Sequence, residues 1–261
     1  MTYQTIAASI PNQKGLRLAT EIYKPESKGK MPVVLLFHGF TGYKENPALV
    51  DIAQRLAENG IVSVRFTASG FGDSEGTLQD DYRFSNYLSD AESVYTYVSN
   101  LPYVDTARLG VYGHSMGGKL AVLFARDHVV KAFCIVSTPV TFRRTSYAKL
   151  LPDWKRNGYF EKVSGRDGKT IRIPYAYIAD VEQQKFNVLT AARRTKVLHT
   201  LVIAGAADTE VPWEETKKIF DALICLKEWI LIDTLPHKYG HLPPLFPIVN
   251  QPIASFFQQN L

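Results

Sequence analysis

The sequence predicts a single α/β domain over residues 1–261, built on a doubly wound, mostly parallel sheet. Two observations indicate this class: short, continuous apolar runs rich in Val and Ile recur along the chain, and stretches with helical spacing lie between them. Continuous rather than alternating apolar runs are typical of strands that are buried on both faces of a parallel sheet. A chain of 261 residues is long enough to enclose one large core of this kind.

The predicted elements alternate along the chain as a doubly wound sheet requires. An alternating stretch at residues 16–22 predicts an antiparallel strand that precedes the parallel ones. The predicted parallel strands are residues 33–37, 61–66, 109–112, 132–137, 201–204 and 229–232. The predicted helices are residues 47–58, 85–100, 117–127, 213–224 and 244–258.

One long connection breaks this alternation. About sixty residues separate the strand that ends near Ser137 from the strand that starts near Leu201, more than one crossover helix needs. Residues 165–168 predict a hairpin turn inside this connection. We expect residues 140–189 to form a small cap inserted over one end of the sheet, although a surface decoration is the alternative. The aromatic residues that we expect to select the acyl group are Trp154, Tyr159 and Tyr175.

Charge and composition limit which kinds of binding partner and cellular location we expect. The formal net charge is +5, but Lys and Arg are scattered, so we expect a solvated surface and no nucleic-acid partner. The apolar runs are too short to span a membrane, and no signal-peptide pattern is visible. Cys134 and Cys225 lie in or beside apolar runs, which favours two free thiols in a cytoplasmic protein. The oligomeric state stays open, with a homodimer among the alternatives.

A Gly-x-Ser-x-Gly pattern occurs twice, at residues 72–76 around Ser74 and at residues 113–117 around Ser115. Such a pattern presents a nucleophile where a buried strand turns sharply into a helix. Ser115 lies between a predicted strand and a predicted helix, whereas Ser74 is followed by an acidic, loop-like stretch. We therefore predict that Ser115 is a nucleophile and that Ser74 is a loop residue.

A serine hydroxyl needs an oriented base to remove its proton, and in this architecture the acid and then the histidine follow the serine along the chain. Asp208 follows the predicted strand 201–204, and His237 follows the predicted strand 229–232. Both positions are carboxyl ends of strands, where catalytic groups gather. We predict Asp208 as the acid and His237 as the base, and His241, four residues further on, is the alternative base.

Ester hydrolysis also needs donors that stabilise an oxyanion. One predicted donor is the backbone N–H of Met116, the residue after the nucleophile. The loop at residues 38–42 carries two glycines and follows a buried strand, so it can bend towards Ser115. The backbone N–H of Phe40 is the second predicted donor.

With these motifs, the chain resembles the cinnamoyl/feruloyl esterases and the serine-aminopeptidase-like hydrolases of the α/β-hydrolase superfamily. The resemblance spans nearly the whole chain and rests on residues 38–42, 65–76, 113–118 and 205–212. It implies an α/β-hydrolase fold, a structural role for the loop that holds Ser74, and an insert that shapes the acyl pocket. Met116 stands where cinnamoyl esterases often have Gln.

The sequence thus predicts a serine carboxylesterase without metal or cofactor, whose partner is a small-molecule ester. The expected substrates are small to medium esters, including aromatic ones of the hydroxycinnamoyl type, cleaved through a Ser-His-Asp triad and an acyl-enzyme intermediate. A thioesterase or an amide-cleaving peptidase with the same triad is the alternative, because the sequence does not show the leaving group. A non-catalytic binding protein is disfavoured because no member of the triad is missing.

Overall fold

The computed structural model describes residues 2–142, 145–184 and 186–261. Within these residues, eight strands form one sheet in the order β1-β2-β4-β3-β5-β6-β9-β10. These strands are β1 (Tyr3–Pro11), β2 (Arg17–Pro25), β3 (Met31–Phe37), β4 (Val62–Phe66), β5 (Val104–His114), β6 (Val129–Val136), β9 (Lys196–Gly205) and β10 (Leu226–Ile232). The first two strands pair antiparallel and the remaining six run parallel to one another, which confirms the predicted fold class.

Helices cover both faces of the sheet. On one face lie α1 (Pro47–Glu58) and α8 (Phe246–Asn260), which pack against each other. The other face carries α2 (Phe84–Ser99), α3 (Met116–Asp127), α6 (Val188–Ala192) and α7 (Trp213–Ala222). Coverage of both faces makes the sheet doubly wound and leaves its strand ends as the accessible edges.

Strand β3 shows why the central apolar runs do not alternate. Val33, Leu35 and Phe37 pack into the core on the α3 side of the sheet. Val34 and Leu36 pack into the second core, beneath α1 and α8. Since every residue of the strand meets a hydrophobic layer, each position is apolar.

The segment between β6 and β9 holds small elements of its own. They are a 3₁₀ turn (Ser146–Leu150), α4 (Leu151–Asn157), a two-stranded hairpin of β7 (Tyr159–Val163) and β8 (Thr170–Pro174), and α5 (Ala176–Gln183). The hairpin confirms the turn predicted at residues 165–168. Trp154 is buried and its indole N–H donates to the carbonyl of Ile173 at 2.9 Å, so α4 is fastened to β8. That residues 140–189 act as a cap subdomain stays a prediction, and residues 143–144 and 185 of that range lie outside the described residues.

The two cysteines, Cys134 and Cys225, are both free thiols, as expected from their apolar surroundings. Across residues 2–142, 145–184 and 186–261, no helix combines the length and the apolar character needed to cross a membrane.

Candidate active site

Ser115 occupies a one-residue turn between a buried strand and a helix. Strand β5 ends at His114 and α3 begins at Met116, and the backbone of Ser115 adopts φ 55° and ψ −118°. This left-handed conformation is strained for a residue with a side chain. The turn is held by the N–H of Ser115, which donates to the carbonyl of Val136 at 2.9 Å. The turn therefore places Ser115 at the amino end of α3.

Two glycines of the motif are required by close backbone contact. A Cβ atom at Gly113 would lie 2.2 Å from the carbonyl oxygen of Gly117. A Cβ atom at Gly117 would lie 2.3 Å from the carbonyl oxygen of Phe37. Helix α3 therefore starts directly against the ends of β3 and β5, which is possible only without side chains at these positions.

In the structure, His237 is hydrogen-bonded to both Ser115 and Asp208. The Nε2 atom of His237 lies 2.9 Å from the Oγ atom of Ser115, and its Nδ1 atom lies 2.8 Å from Oδ2 of Asp208. The three residues follow β5, β10 and β9, whose parallel strands all end at the same edge of the sheet. The sheet thus places side chains that are far apart in sequence within hydrogen-bonding reach.

Asp208 is held by three hydrogen bonds. Its Oδ1 atom accepts the backbone N–H groups of Glu210 at 2.9 Å and Val211 at 2.8 Å, and its Oδ2 atom accepts the N–H of His237. Burial raises the pKa of Asp208, but the hydrogen bond and charge of His237 and the amide of Val211 outweigh it, so the pKa lies below its ordinary value. An ionised carboxylate can only accept, so Nδ1 of His237 carries a proton; when the ring is uncharged, Nε2 offers its lone pair to the Ser115 hydroxyl.

Two other histidines lie near His237. His114 packs against it with ring centroids 5.0 Å apart, and burial followed by the charge of His237 lowers the pKa of His114 to about 3. His114 is therefore uncharged beside His237 at neutral pH. His241 is exposed and lies beside Gly165, and among the described residues it makes no hydrogen bond to Ser115 or Asp208. Of the two candidate bases, the structure places His237 against the serine.

Phe40 and Met116, whose backbone N–H groups were the predicted oxyanion donors, lie beside Ser115. Both residues line one cavity with Ser115, and within the described part of the chain neither N–H has an acceptor. Buried tyrosines hold the loop that carries Phe40: Tyr82 Oη accepts the N–H of Thr41 at 2.6 Å, and Tyr87 Oη accepts the N–H of His38 at 2.8 Å. Neither tyrosine was predicted to contact this loop, because nothing in the local sequence indicates that their hydroxyls reach 41 and 49 residues back along the chain.

In the second serine motif, residues 72–76, the serine hydroxyl is hydrogen-bonded to backbone groups and, among the described residues, not to a histidine. The hydroxyl of Ser74 donates to the carbonyl of Thr67 at 2.7 Å and accepts the N–H of Ala19 at 2.9 Å. Both partners are backbone groups, one just past the end of β4 and one in β2. Ser74 therefore fastens its loop to the sheet, in agreement with the prediction of a loop residue.

Two cavities adjoin Ser115. The larger, of about 330 Å³, reaches the exposed residues Val163, Lys238 and His241. The smaller, of about 20 Å³, has no exposed residue among its described lining. Its lining consists of Phe40, Ser115, Met116, Lys119, Pro139, Phe142, Thr145, Tyr147, Glu210, Val211 and His237.

The residues expected to select the acyl group are not the ones found beside Ser115. Trp154, Tyr159 and Tyr175 line neither cavity, so their expected role in acyl selection stays a prediction. The indole of Trp154 donates to Ile173 in the same segment, and its ring also lies 6.3 Å from that of Phe40, which lines the smaller cavity. The side chain of Tyr159 is partly exposed. The same segment does reach the site, but through Phe142, Tyr147 and Lys162 instead.

Comparison with known proteins gives a family and several relatives. The family described as serine aminopeptidase, S33 matches residues 30–186. An Escherichia coli protein named "Uncharacterized 31.7 kDa protein in traX-finO intergenic region" is 28% identical over 236 residues, which cover 76% of this chain and 80% of that protein. The mitochondrial palmitoyl-protein thioesterase ABHD10 of Mus musculus is 24% identical over 217 residues, covering 76% of this chain and 65% of that protein.

Among solved structures, the chain is similar to Est1E from Butyrivibrio proteoclasticus with ferulic acid bound. The two share 23% identity, the match covers 97% of this chain and 99% of that one, and the TM-score is 0.73. At this level of identity the likeness establishes a shared fold.

Proposed function

The chain belongs to the serine aminopeptidase S33 family, and from that premise we propose that it is a serine carboxylesterase. The proposed substrates are small to medium carboxylic esters, cleaved through Ser115, His237 and Asp208. The single observation that carries this proposal is the position of His237, which bridges Ser115 Oγ at 2.9 Å and Asp208 Oδ2 at 2.8 Å. This arrangement supplies a nucleophile, a base and the group that orients the base.

In the proposed reaction, Oγ of Ser115 attacks the ester carbonyl carbon while Nε2 of His237 takes the hydroxyl proton. The amides of Phe40 and Met116 donate to the oxyanion that forms, and the ionised Asp208 stabilises the imidazolium. Collapse of this intermediate breaks the bond to the alcohol oxygen, which takes the proton from His237. Water then attacks the acyl-enzyme through the same base, releasing the acid and restoring Ser115.

The two cavities suggest which half of the ester lies where. The alcohol must leave and water must enter while the acyl group is still attached to Ser115. We therefore assign the leaving group to the larger cavity, which reaches exposed residues, and the acyl group to the smaller one, whose described lining includes no exposed residue. A cavity of about 20 Å³ favours a short acyl group over a hydroxycinnamoyl one.

A thioesterase is the second candidate, because the chain is similar to a palmitoyl-protein thioesterase along 76% of its length. The same triad cleaves a thioester, and the larger cavity leaves room for a sulfur leaving group. Cleavage at a peptide amino terminus is less favoured by the charges at the site. Glu210 is the one carboxylate among the described residues that line the two cavities, and it is already paired with Lys238 at 2.8 Å. Lys119 and Lys162 would repel a substrate ammonium.

The test compares one acyl group on three leaving atoms: ethyl butanoate, S-ethyl thiobutanoate and N-ethyl butanamide. We expect the oxygen ester to be hydrolysed, the amide to be resistant, and all turnover to disappear in Ser115→Ala. Preference for the thioester by tenfold or more would select the second candidate. Turnover that persists unchanged in Ser115→Ala would contradict both.

We also propose the cytoplasm as the location of the protein, since unpaired cysteines such as Cys134 and Cys225 are typical of reducing compartments. Fractionation of cells that express the full chain tests this, and recovery in a secreted or periplasmic fraction would contradict it.

A further inference from the structure

Lys119 is a buried cation one helical turn beyond the candidate nucleophile. It lies in α3, four residues after Ser115, and its exposed fraction is 6%. In an α-helix, side chains four residues apart share a face, and each leans towards the preceding turn. Lys119 therefore extends along the same side of the helix as Ser115, and both line the smaller cavity.

No counter-charge accompanies this lysine within the residues that the structure describes. Its ammonium makes no hydrogen bond or ion pair there, and its neighbours are aromatic: Nζ lies 5.8 Å from the ring centroid of Phe84 and 5.9 Å from that of Phe142. Burial lowers the pKa of Lys119 to about 8, so most molecules carry the charge at pH 7. Buried charges in proteins are ordinarily paired, because an unpaired one loses its hydration without compensation.

The other charged side chains around the two cavities, within the described residues, already have partners. Lys162 donates to the hydroxyl of Tyr147 at 2.9 Å, and Lys238 pairs with Glu210 at 2.8 Å. Glu210 reaches the smaller cavity as well, but its charge is offset by that pair. Among the side chains that the structure describes, an anion that enters the smaller cavity would thus find one unpaired cation, Lys119.

We propose that the smaller cavity binds an acyl group that ends in a carboxylate, and that Lys119 pairs with this carboxylate. The substrate class is then the monoester of a short dicarboxylic acid, such as a succinyl ester. The inference rests on the proposed function, because the acyl group is the part that becomes bonded to Ser115. The ester linkage breaks as already described, and the product is the free dicarboxylate.

The first experiment compares two esters of similar shape, monoethyl succinate and ethyl butanoate, at pH 7. We expect wild-type protein to have the higher kcat/KM for monoethyl succinate. Lys119→Met keeps the length of the side chain and removes its charge, so the ratio of the two kcat/KM values should fall by roughly 30-fold or more. The matched control is Lys196→Met, an exposed lysine at the opposite edge of the sheet, which should keep the wild-type ratio.

A second experiment measures binding without turnover. Monoethyl succinate is titrated by calorimetry into Ser115→Ala protein, with and without Lys119→Met, and the melting temperature Tm of each variant is recorded. We expect Lys119→Met to weaken binding by a similar factor and to raise Tm, since an uncompensated buried charge is removed.

Equal wild-type kcat/KM for the two esters, or equal binding in the presence and absence of Lys119→Met, would overturn the proposal. A fall in Tm with an unchanged ratio would overturn it too, since Lys119 would then be structural. If no ester is hydrolysed while binding still depends on Lys119, the proposed function fails and the anion site stands.

Discussion

The chain carries the same five-residue pattern in two places, and the structure uses them in opposite ways. At residues 113–117 the pattern joins a buried strand to a helix, and Ser115 takes a left-handed backbone conformation with its hydroxyl against His237. At residues 72–76 the pattern lies in a loop, where the hydroxyl of Ser74 is occupied on both sides by backbone groups. Both serines are buried, so accessibility does not separate them.

The secondary structure around a Gly-x-Ser-x-Gly motif therefore decides whether its serine can act as a nucleophile. In the first motif the glycines are needed because α3 presses on the ends of β3 and β5. In the second, Gly72 and Gly76 have φ of 61° and 97°, which bends a loop rather than starting a helix. Only the first arrangement leaves a serine hydroxyl free to meet a base.

The largest expected effect comes from removing the hydroxyl in each motif. We expect Ser115→Ala to lower kcat for ester hydrolysis by roughly 10⁴- to 10⁶-fold with an unchanged circular dichroism spectrum. The matched variant Ser74→Ala should keep kcat within about twofold, because its hydroxyl meets only backbone groups. A large loss in Ser74→Ala with little loss in Ser115→Ala would reverse the roles of the two motifs.

The next largest effect is expected from the two histidines near the carboxyl end of the chain, His237 and His241. His237→Ala should match the loss of Ser115→Ala, roughly 10⁴-fold or more in kcat, because members of a triad act as a unit. His241→Ala should cost less than about threefold, as His241 lies four residues away and makes no hydrogen bond to Ser115 in the described structure. Steady-state kinetics on one ester decides between them, and a greater loss in His241→Ala would identify His241 as the base.

Asp208→Asn should cost less than loss of the serine, roughly 10³- to 10⁴-fold in kcat. An amide in this position can donate to Nδ1 of His237, which moves the ring proton to Nε2 and removes the acceptor for the Ser115 hydroxyl. Asp208→Glu, which keeps the charge, is the comparison variant and should retain more activity. Near-normal turnover in Asp208→Asn would exclude Asp208 from the triad.

Stability should respond in the opposite order to activity. Ser74→Ala removes the hydroxyl that pairs with the half-buried N–H of Ala19 and the buried carbonyl of Thr67, and it should cost about 1–3 kcal/mol of unfolding free energy. Ser115→Ala should be neutral or stabilising, because active-site residues are not selected for stability. Urea unfolding of both variants measures this, and a greater loss for Ser115→Ala would mean that the strained turn depends on its hydroxyl.

The smallest expected effect is on the pH dependence of stability. The pKa of Asp208 is lower in the folded chain, so its stabilising contribution is present above the unfolded pKa and is lost as the pH falls through the folded value. Asp208→Asn should therefore show a shallower loss of stability than wild type below about pH 4. Ser74→Ala should keep the wild-type slope, since Ser74 has no titrating partner for its hydroxyl. Parallel slopes for Asp208→Asn and wild type would contradict this assignment.

The sheet could be predicted closely, because its signal is local. Residues 47–58 were predicted as a helix and form α1 over that range, and each predicted parallel strand has its counterpart. Strand β1 was missed: it is an edge strand whose residues are mostly exposed or half-buried, so it lacks an apolar run. Strand β1 forms because it pairs with β2, and its own sequence shows no continuous apolar run that would predict a strand.

The site could be predicted where chain order and strand ends define it, as for Ser115, Asp208 and His237. Contacts between distant segments could not be predicted. The hydrogen bond between the N–H of Thr41 and Tyr82 depends on how α2 and its preceding loop pack. Likewise, the sequence does not show that the indole of Trp154 donates to Ile173 while its ring contacts Phe40. Lys119 lies in the motif's own helix, yet its burial is visible only in the fold.

One measurement tests the central claim most directly. A fluorophosphonate forms a covalent bond to an activated serine oxygen with loss of fluoride, and peptide mass spectrometry of the labelled protein locates the adduct. We expect one modified serine, in the peptide that contains Ser115, with labelling abolished in Ser115→Ala and His237→Ala and retained in Ser74→Ala. An adduct on Ser74, or no adduct in folded wild-type protein, would contradict it.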